Sequence, residues 1–286
     1  MKLLQRYFLL VLLIGISWTY SAADEPCLGD TSSSKHFSVY LIPRLPATQL
    51  FRDWSPFLTR LGKESGLCFN LVIPKKFSEF ENAISVGKPD FVLLNPYHQV
   101  MVSKTPGYIP LVRDEHSKLA GVIVVNKQSP IQTLEQLDGK TLAFPAPNAY
   151  VASLLLRAIL AKKGIHIKPK YLGSHSNVYR AVALSDAPAG GGANTTLSNE
   201  PASLQSQLRV LFTSPYYIPH PFSAHPRVSA QVREKVAESF LKMYDDPSGR
   251  KMLKSIQMEE PFRANYVRDY QLLENLNLEN FVEVGK

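Results

Sequence analysis

The stretch that decides the fold is Lys140 to Gly164, KTLAFPAPNAYVASLLLRAILAKKG. Thr141 to Pro145 reads as a short buried strand, and Pro145 and Pro147 fix φ in the turn after it. Asn148 stands at the N-cap position ahead of the apolar-periodic run Val151, Leu154, Leu155, Ala158 and Ile159. Gly164 closes the helix as its C′ residue. A strand that runs into a helix start presents free backbone N–H groups, which suit an anion or a polar ligand. Every α/β protein has several such junctions, so this one gains meaning only from its surroundings.

The same alternation extends on both sides. Upstream, Phe37 to Ile42 is a strand broken by Pro43 and Pro46. A helical face follows, with Leu50, Phe51, Trp54, Phe57, Leu58 and Leu61 at three- and four-residue spacing, closed by Gly66. Pro56 lies inside it, as a kink or as the first residue of a second helix. Phe69 to Ile73 is a second strand. Ser78 with Glu81 has capping-box spacing. Phe91 to Leu94 is an apolar strand that runs into Asn95-Pro96-Tyr97-His98. Downstream of Gly164, Ser174-His175-Ser176-Asn177 caps a helix carrying Val178, Ala181 and Val182. Gly190-Gly191-Gly192 lies in either a strand or a tight loop, and Leu208 to Phe212 is the return strand. The C-terminal third is helical over 229–244, 248–256 and 266–276. Strands and helices in alternation make an α/β protein with mostly parallel sheets, whose ligands sit beyond the strand ends.

The first 23 residues read as a secretory leader. Lys2 and Arg6 precede the apolar run Tyr7 to Ile16, and Ser21-Ala22-Ala23 offers cleavage after Ala23. That run is shorter than the roughly 20 residues needed to span a bilayer. An exported, periplasmic protein is expected. Its two cysteines, Cys27 and Cys68, then either form one disulfide or remain thiols. The formal net charge is +8, but the basic residues are scattered and no aromatic-interleaved basic stripe appears, so no nucleic-acid partner is expected.

No catalytic or cofactor constellation emerges. No two of the 7 histidines are four residues apart, so no helical metal pair forms, and neither HExxH nor GxSxG occurs. The glycine run lacks the spacing of a phosphate loop and marks close backbone approach instead. Carboxylates are sparse at the strand ends. Tyr97, His98, Asn148, Tyr150, Ser174, His175 and Asn177 gather there, which furnishes a binding site better than an active site. Each also has a plainer reading. Asn148 and Ser174 suit simple helix caps, Tyr97 a core-edge aromatic, Arg44 and Arg180 surface charges. Asn194-Thr195-Thr196 matches a glycosylation sequon, a pattern that often arises by chance.

Several stretches together resemble the phosphate/phosphite/phosphonate solute-binding proteins of ABC transporters: VYLIPRLPATQL, DFVLLNPYHQV, GVIVVNKQSPIQTLEQLDGKTLAF, PAPNAYVASLLLRAILAKKGI, GSHSNVYRAVAL and EEPFRANY. The resemblance covers nearly all of the chain after the leader. It implies a two-lobed type II periplasmic binding fold. Lobe one would be residues 24–125 plus 213–286 and lobe two residues 126–212, hinged near Val124–Asn126 and Phe212–Ser214. It implies a monomer that takes a small anionic ligand and hands it to a membrane permease, with no catalysis, metal or cofactor. A ligand-sensing subunit for a sensor kinase or chemoreceptor is the alternative. The ligand would lie between Asn95 and Tyr97 of lobe one and Asn148, Ala149, Tyr150, Ser174, His175 and Asn177 of lobe two, with Arg44 as a charge partner. Two departures stand out. The family's hydroxyl-rich helix start is Ala149-Tyr150-Val151 here, and the acidic residue expected near Ala187–Gly191 is missing, whereas the family histidine is kept as His175.

Overall fold

The structure, a computed structural model, describes residues 27–283, so the leader expected over 1–23 lies outside the described residues. The first half forms β1 (Leu28–Gly29), β2 (His36–Leu41), α1 (Ala47–Ser65), β3 (Cys68–Val72), α2 (Phe77–Ser85), β4 (Phe91–Leu93), α3 (Pro96–Lys104) and β5 (Ile109–Asp114). The chain then crosses to a second sheet. It builds β6 (Gly121–Asn126), β7 (Thr141–Phe144), α4 (Leu155–Lys162), β8 (Lys168–Tyr171), α5 (His175–Ala183), β9 (Gly190–Ala193), α6 (Asn194–Ser198), α7 (Ala202–Gln205) and β10 (Leu208–Thr213). It returns for β11 (Phe222–Ala224), α8 (Ala230–Lys242), α9 (Pro247–Ser255), β12 (Pro261–Arg263) and α10 (Tyr266–Asp269), and ends in 3₁₀ turns.

The first sheet has the order β1-β3-β2-β4-β11-β5-β12 and the second β10-β6-β9-β7-β8. Both are mixed, rather than mostly parallel. Only β2 with β3 and β4, and β7 with β8 and β9, pair in parallel. The antiparallel partners are largely the strands on which the chain crosses between sheets, β6, β10 and β11, which enter each sheet from the opposite end. The change of sheet falls in 115–120 and 214–221. Val124–Asn126 lie inside β6, held by β9 and β10 on either side. The two crossings touch through paired backbone bonds between Leu119 and Tyr217, 2.8 and 2.9 Å.

Two apolar cores result. In the first, Trp54, Phe57, Phe69, Phe91, Phe222 and Phe240 are fully buried in one cluster. Helix α1 is continuous through Pro56 and ends at Gly66, whose φ of 61° is left-handed. Cys27 and Cys68 form a disulfide that ties the start of the described chain to β3.

In the second lobe β9 is the strand GGGA. A Cβ on Gly191 would lie 2.3 Å from Ala152 O and 2.5 Å from the Phe144 ring, and one on Gly192 would lie 2.1 Å from the Tyr179 hydroxyl. Glycine is required because the turn before α4 and the body of α5 rest directly on the strand backbone. That contact brings both helix starts to the same strand ends.

Candidate functional site

Arg44 follows β2 in a turn closed by its own N–H to Ile42 O, 2.8 Å. Its side chain points inward and is 8 % exposed. The guanidinium donates to the neutral amide of Gln257, while its Nε has no partner. Burial lowers its pKa to about 10, against a smaller opposing effect of Asp53. A buried cation whose only direct partner among the described residues is an amide is costly unless something anionic joins it.

Asn95 caps α3: its Oδ1 accepts from His98 N at 2.7 Å. Its Nδ2, also buried, has no acceptor. Across the cleft, the turn at Tyr150–Leu154 is wide, with Leu155 N–H returning to Tyr150 O. Ser153 and Leu154 both donate to Ala149 O, so the N–H groups of Tyr150, Val151 and Ala152 have no backbone acceptor among the described residues. The Tyr150 ring stacks on Tyr97 at 6.2 Å and meets Tyr217 edge-on at 5.7 Å, leaving its hydroxyl buried without a partner.

His175 opens α5, whose N-cap Ser174 accepts from Asn177 N at 3.2 Å. Its Nδ1 lies 3.1 Å from Thr196 Oγ1. Burial, and then the charge of Arg44, lower its pKa to about 4. Burial likewise holds His220 well below its usual range, helped by Arg44, His98 and His175. Both imidazoles are therefore neutral at pH 7.

These groups line one interlobe cavity of about 30 Å³, shared by Arg44, Asn95, Ala149, Tyr150, His175 and His220. No carboxylate lines it. A second chamber, of about 370 Å³, shares Arg44, His175 and Thr196 with it and also contains Ser174 and Asn177. Of the residues expected at the site, the structure thus brings together Arg44, Asn95, Ala149, Tyr150, Ser174, His175 and Asn177.

Two lie elsewhere. Tyr97 backs Tyr150 inside an apolar cluster and lines neither space. Asn148 does not cap a helix. The helix start falls on Ala149, and the Asn148 amide is engaged by Glu283 and by Glu81 Oε2. Glu81, in turn, is no capping-box residue, because α2 begins at Phe77 and the carboxylate faces His98.

Two lining residues have no counterpart among those expected from the sequence, His220 and Thr196. His220 sits between Pro219 and Pro221 in the returning crossover, a bracket of prolines that fixes an extended path and was the one available signal. The sequon asparagine is structural, since Asn194 accepts from Ala120 N and donates to Lys118 O.

Over residues 39–270 the chain matches the family of ABC transporter phosphonate periplasmic substrate-binding proteins. Solved structures share the fold. PhnD1 from Prochlorococcus marinus in complex with methylphosphonate superposes with a TM-score of 0.76 at 18% identity, covering 87% of this chain and 99% of that one. A binding protein component of an ABC phosphonate transporter from Pseudomonas aeruginosa gives 0.75 at 17% identity, covering 87% of each chain. A Xanthomonas citri protein bound to chloride gives 0.74 at 16%, covering 86% of this chain and 99% of that one.

Proposed function

Because the chain belongs to the family of phosphonate ABC-transporter periplasmic substrate-binding proteins, we propose that its cleft captures a phosphorus oxyanion, of phosphonate, phosphite or phosphate type, and presents it to a membrane permease. The protein is a solute-binding protein, and the comparisons favour transport over a sensor-subunit role. The observation that carries the ligand class is an inner cavity lined by unmet donors and by no carboxylate among the described residues. Arg44 Nε, Asn95 Nδ2 and the Tyr150 hydroxyl are three buried polar groups without partners among the described residues, and all three residues line it.

Each such group costs about 1–3 kcal/mol while unmet. An oxyanion with several acceptor lone pairs satisfies them together, and the free N–H groups at Tyr150–Ala152 add helix-terminus donors. Arg44 supplies the charge. His175 and His220, neutral when the site is empty, donate one ring N–H each. Capture proceeds by closure of the two lobes about 115–120 and 214–221, a hinge movement taken up by a few backbone angles. As in a transporter's substrate-binding component, the ligand is handed on unchanged.

Thermal melting against methylphosphonate, phosphite, phosphate, sulfate and simple carboxylates tests this reading. A ligand at 100 times its Kd stabilises by about 2.7 kcal/mol, on the order of 5–10 °C for a chain of this size. A shift with at least one phosphorus oxyanion is expected. A panel without any such shift would overturn the ligand class.

A further inference from the structure

The inner cavity is too small for a whole organophosphonate. A site of about 30 Å³ holds a couple of water-sized groups at most, since one water needs roughly 10–15 Å³. Of the spaces that share lining with it, the one beside His220 and Gln257 is again only about 30 Å³, whereas the chamber of about 370 Å³, bounded in common by Arg44, His175 and Thr196, has the room for a substituent. The chemistry of that chamber therefore reports on the substituent.

Resting on the oxyanion reading above, we propose that the ligand carries a second anionic group, a carboxylate or a second phosphoryl, held in the outer chamber by Lys75 and Arg180. Arg44, nine-tenths buried and with Nε unpartnered, lines both spaces and sits between the two anionic groups. Lys75 comes from the first lobe and Arg180 from the second, and neither side chain takes part in a hydrogen bond or ion pair with the described residues. Glu200 is the one carboxylate in the lining, and it already accepts the Ser176 hydroxyl.

Two helix starts face each other across the same space. Helix α1, of 19 residues, begins beside Pro46 with neither a side-chain cap nor an acidic residue in its first turn. Helix α5 begins at His175, and Ser174 caps only Asn177 N. Both place positive ends of backbone dipoles at the chamber. Three side-chain cations and two helix starts set against one occupied carboxylate favour an anion and disfavour an amine.

Calorimetric titration at pH 7.5 and physiological salt separates the possibilities, with methylphosphonate, phosphonoacetate and 2-aminoethylphosphonate as probes. Phosphonoacetate is expected to bind about tenfold tighter than methylphosphonate, and 2-aminoethylphosphonate more weakly than either. In the double variant Lys75→Gln, Arg180→Gln, which alters only exposed side chains, most of that preference is expected to vanish while methylphosphonate affinity stays within about threefold. Equal affinities in the native protein, a preference for the amine, or a preference that survives the double variant would overturn the proposal and leave the oxyanion reading standing. Failure of all three ligands to bind, with no melting shift from phosphite or phosphate either, would overturn both.

Discussion

Glu81 and Asn148 meet across the cleft, with Asn148 Nδ2 3.3 Å from Glu81 Oε2. Glu81 belongs to α2 of the first lobe, where its other oxygen lies 3.1 Å from His98 Nε2. Asn148 belongs to the second lobe, where it also exchanges two hydrogen bonds with the Glu283 backbone, 2.8 and 3.0 Å. One amide thus joins both lobes and the C-terminal segment. Glu81→Ala removes the link between lobes and leaves His98 and Asn148 each short of a partner. The ligand-free protein is expected to widen in small-angle scattering, and ligand affinity to fall about fivefold, the worth of one such bond. Unchanged scattering and affinity would remove Glu81 from the closing mechanism.

The same contact marks a hydrogen-exchange signature. Asn148→Ala also frees the backbone of Glu283, whose carboxylate is still held by Arg157 and Tyr171. Exchange at Phe281–Glu283 is expected to rise without global unfolding. Protection equal to that of the native chain would show that Arg157 and Tyr171 suffice.

Arg44 imposes a cost on the empty protein. Replacing a buried charge by a similar apolar side chain is often neutral or stabilising, by about 1–4 kcal/mol. Arg44→Met is therefore expected to melt at the same temperature as the native protein or several degrees higher when no ligand is present. A drop of several degrees would mean that the bond to Gln257 makes Arg44 a structural residue.

Acid should weaken the empty protein through the cleft. His175 is neutral in the fold with a pKa of about 4, against 6.5 for a free imidazole. Between those values the unfolded chain binds more protons, so the stability present above pH 6.5 is lost as pH falls toward 4. The loss is roughly 3 kcal/mol for this one group, and His220 adds to it in the same direction. A bound oxyanion favours the protonated rings and should flatten the profile. Melting curves from pH 7.5 to 4.5, with and without ligand and repeated with His175→Gln, check this. Parallel profiles with and without ligand would count against contact between the histidines and the anion.

Glycine at 191 is a packing requirement. Gly191→Ala would drive a Cβ into Ala152 O and Phe144, displacing the very turn that carries the free N–H groups. A loss of several kcal/mol in denaturant unfolding is expected. A loss below about 1 kcal/mol would show that the turn can give way.

Features governed by local periodicity were legible in the sequence. The apolar spacing from Leu50 to Leu61 yielded α1, Ser174 capped α5, Gly164 ended α4, and the glycine run signalled close approach. What escaped depends on contacts distant in the chain. Asn148 looks like a cap from its neighbours, but its amide is claimed by Glu283, 135 residues away, and by Glu81, 67 away. Ser78 and Glu81 have capping spacing, yet Glu81 finds stronger partners in His98 and Asn148. His220 enters the cleft only because the returning crossover passes beside Arg44, which no local pattern encodes. Tyr150, standing where the resemblance implied a small hydroxyl residue, fills space next to Tyr97 and Tyr217.

On the proposed function, Arg44 and the donors around it that lack partners among the described residues hold an oxyanion between the lobes. The most direct measurement is calorimetric titration of methylphosphonate, with phosphite as a second probe, into the native protein and into Arg44→Met side by side. One ligand per chain is expected in the native protein and at least a hundredfold weaker binding in the variant, matching the about 3 kcal/mol of a buried charge-assisted contact. Equal binding by the two proteins would contradict it, because the anion would then be held somewhere other than this cleft.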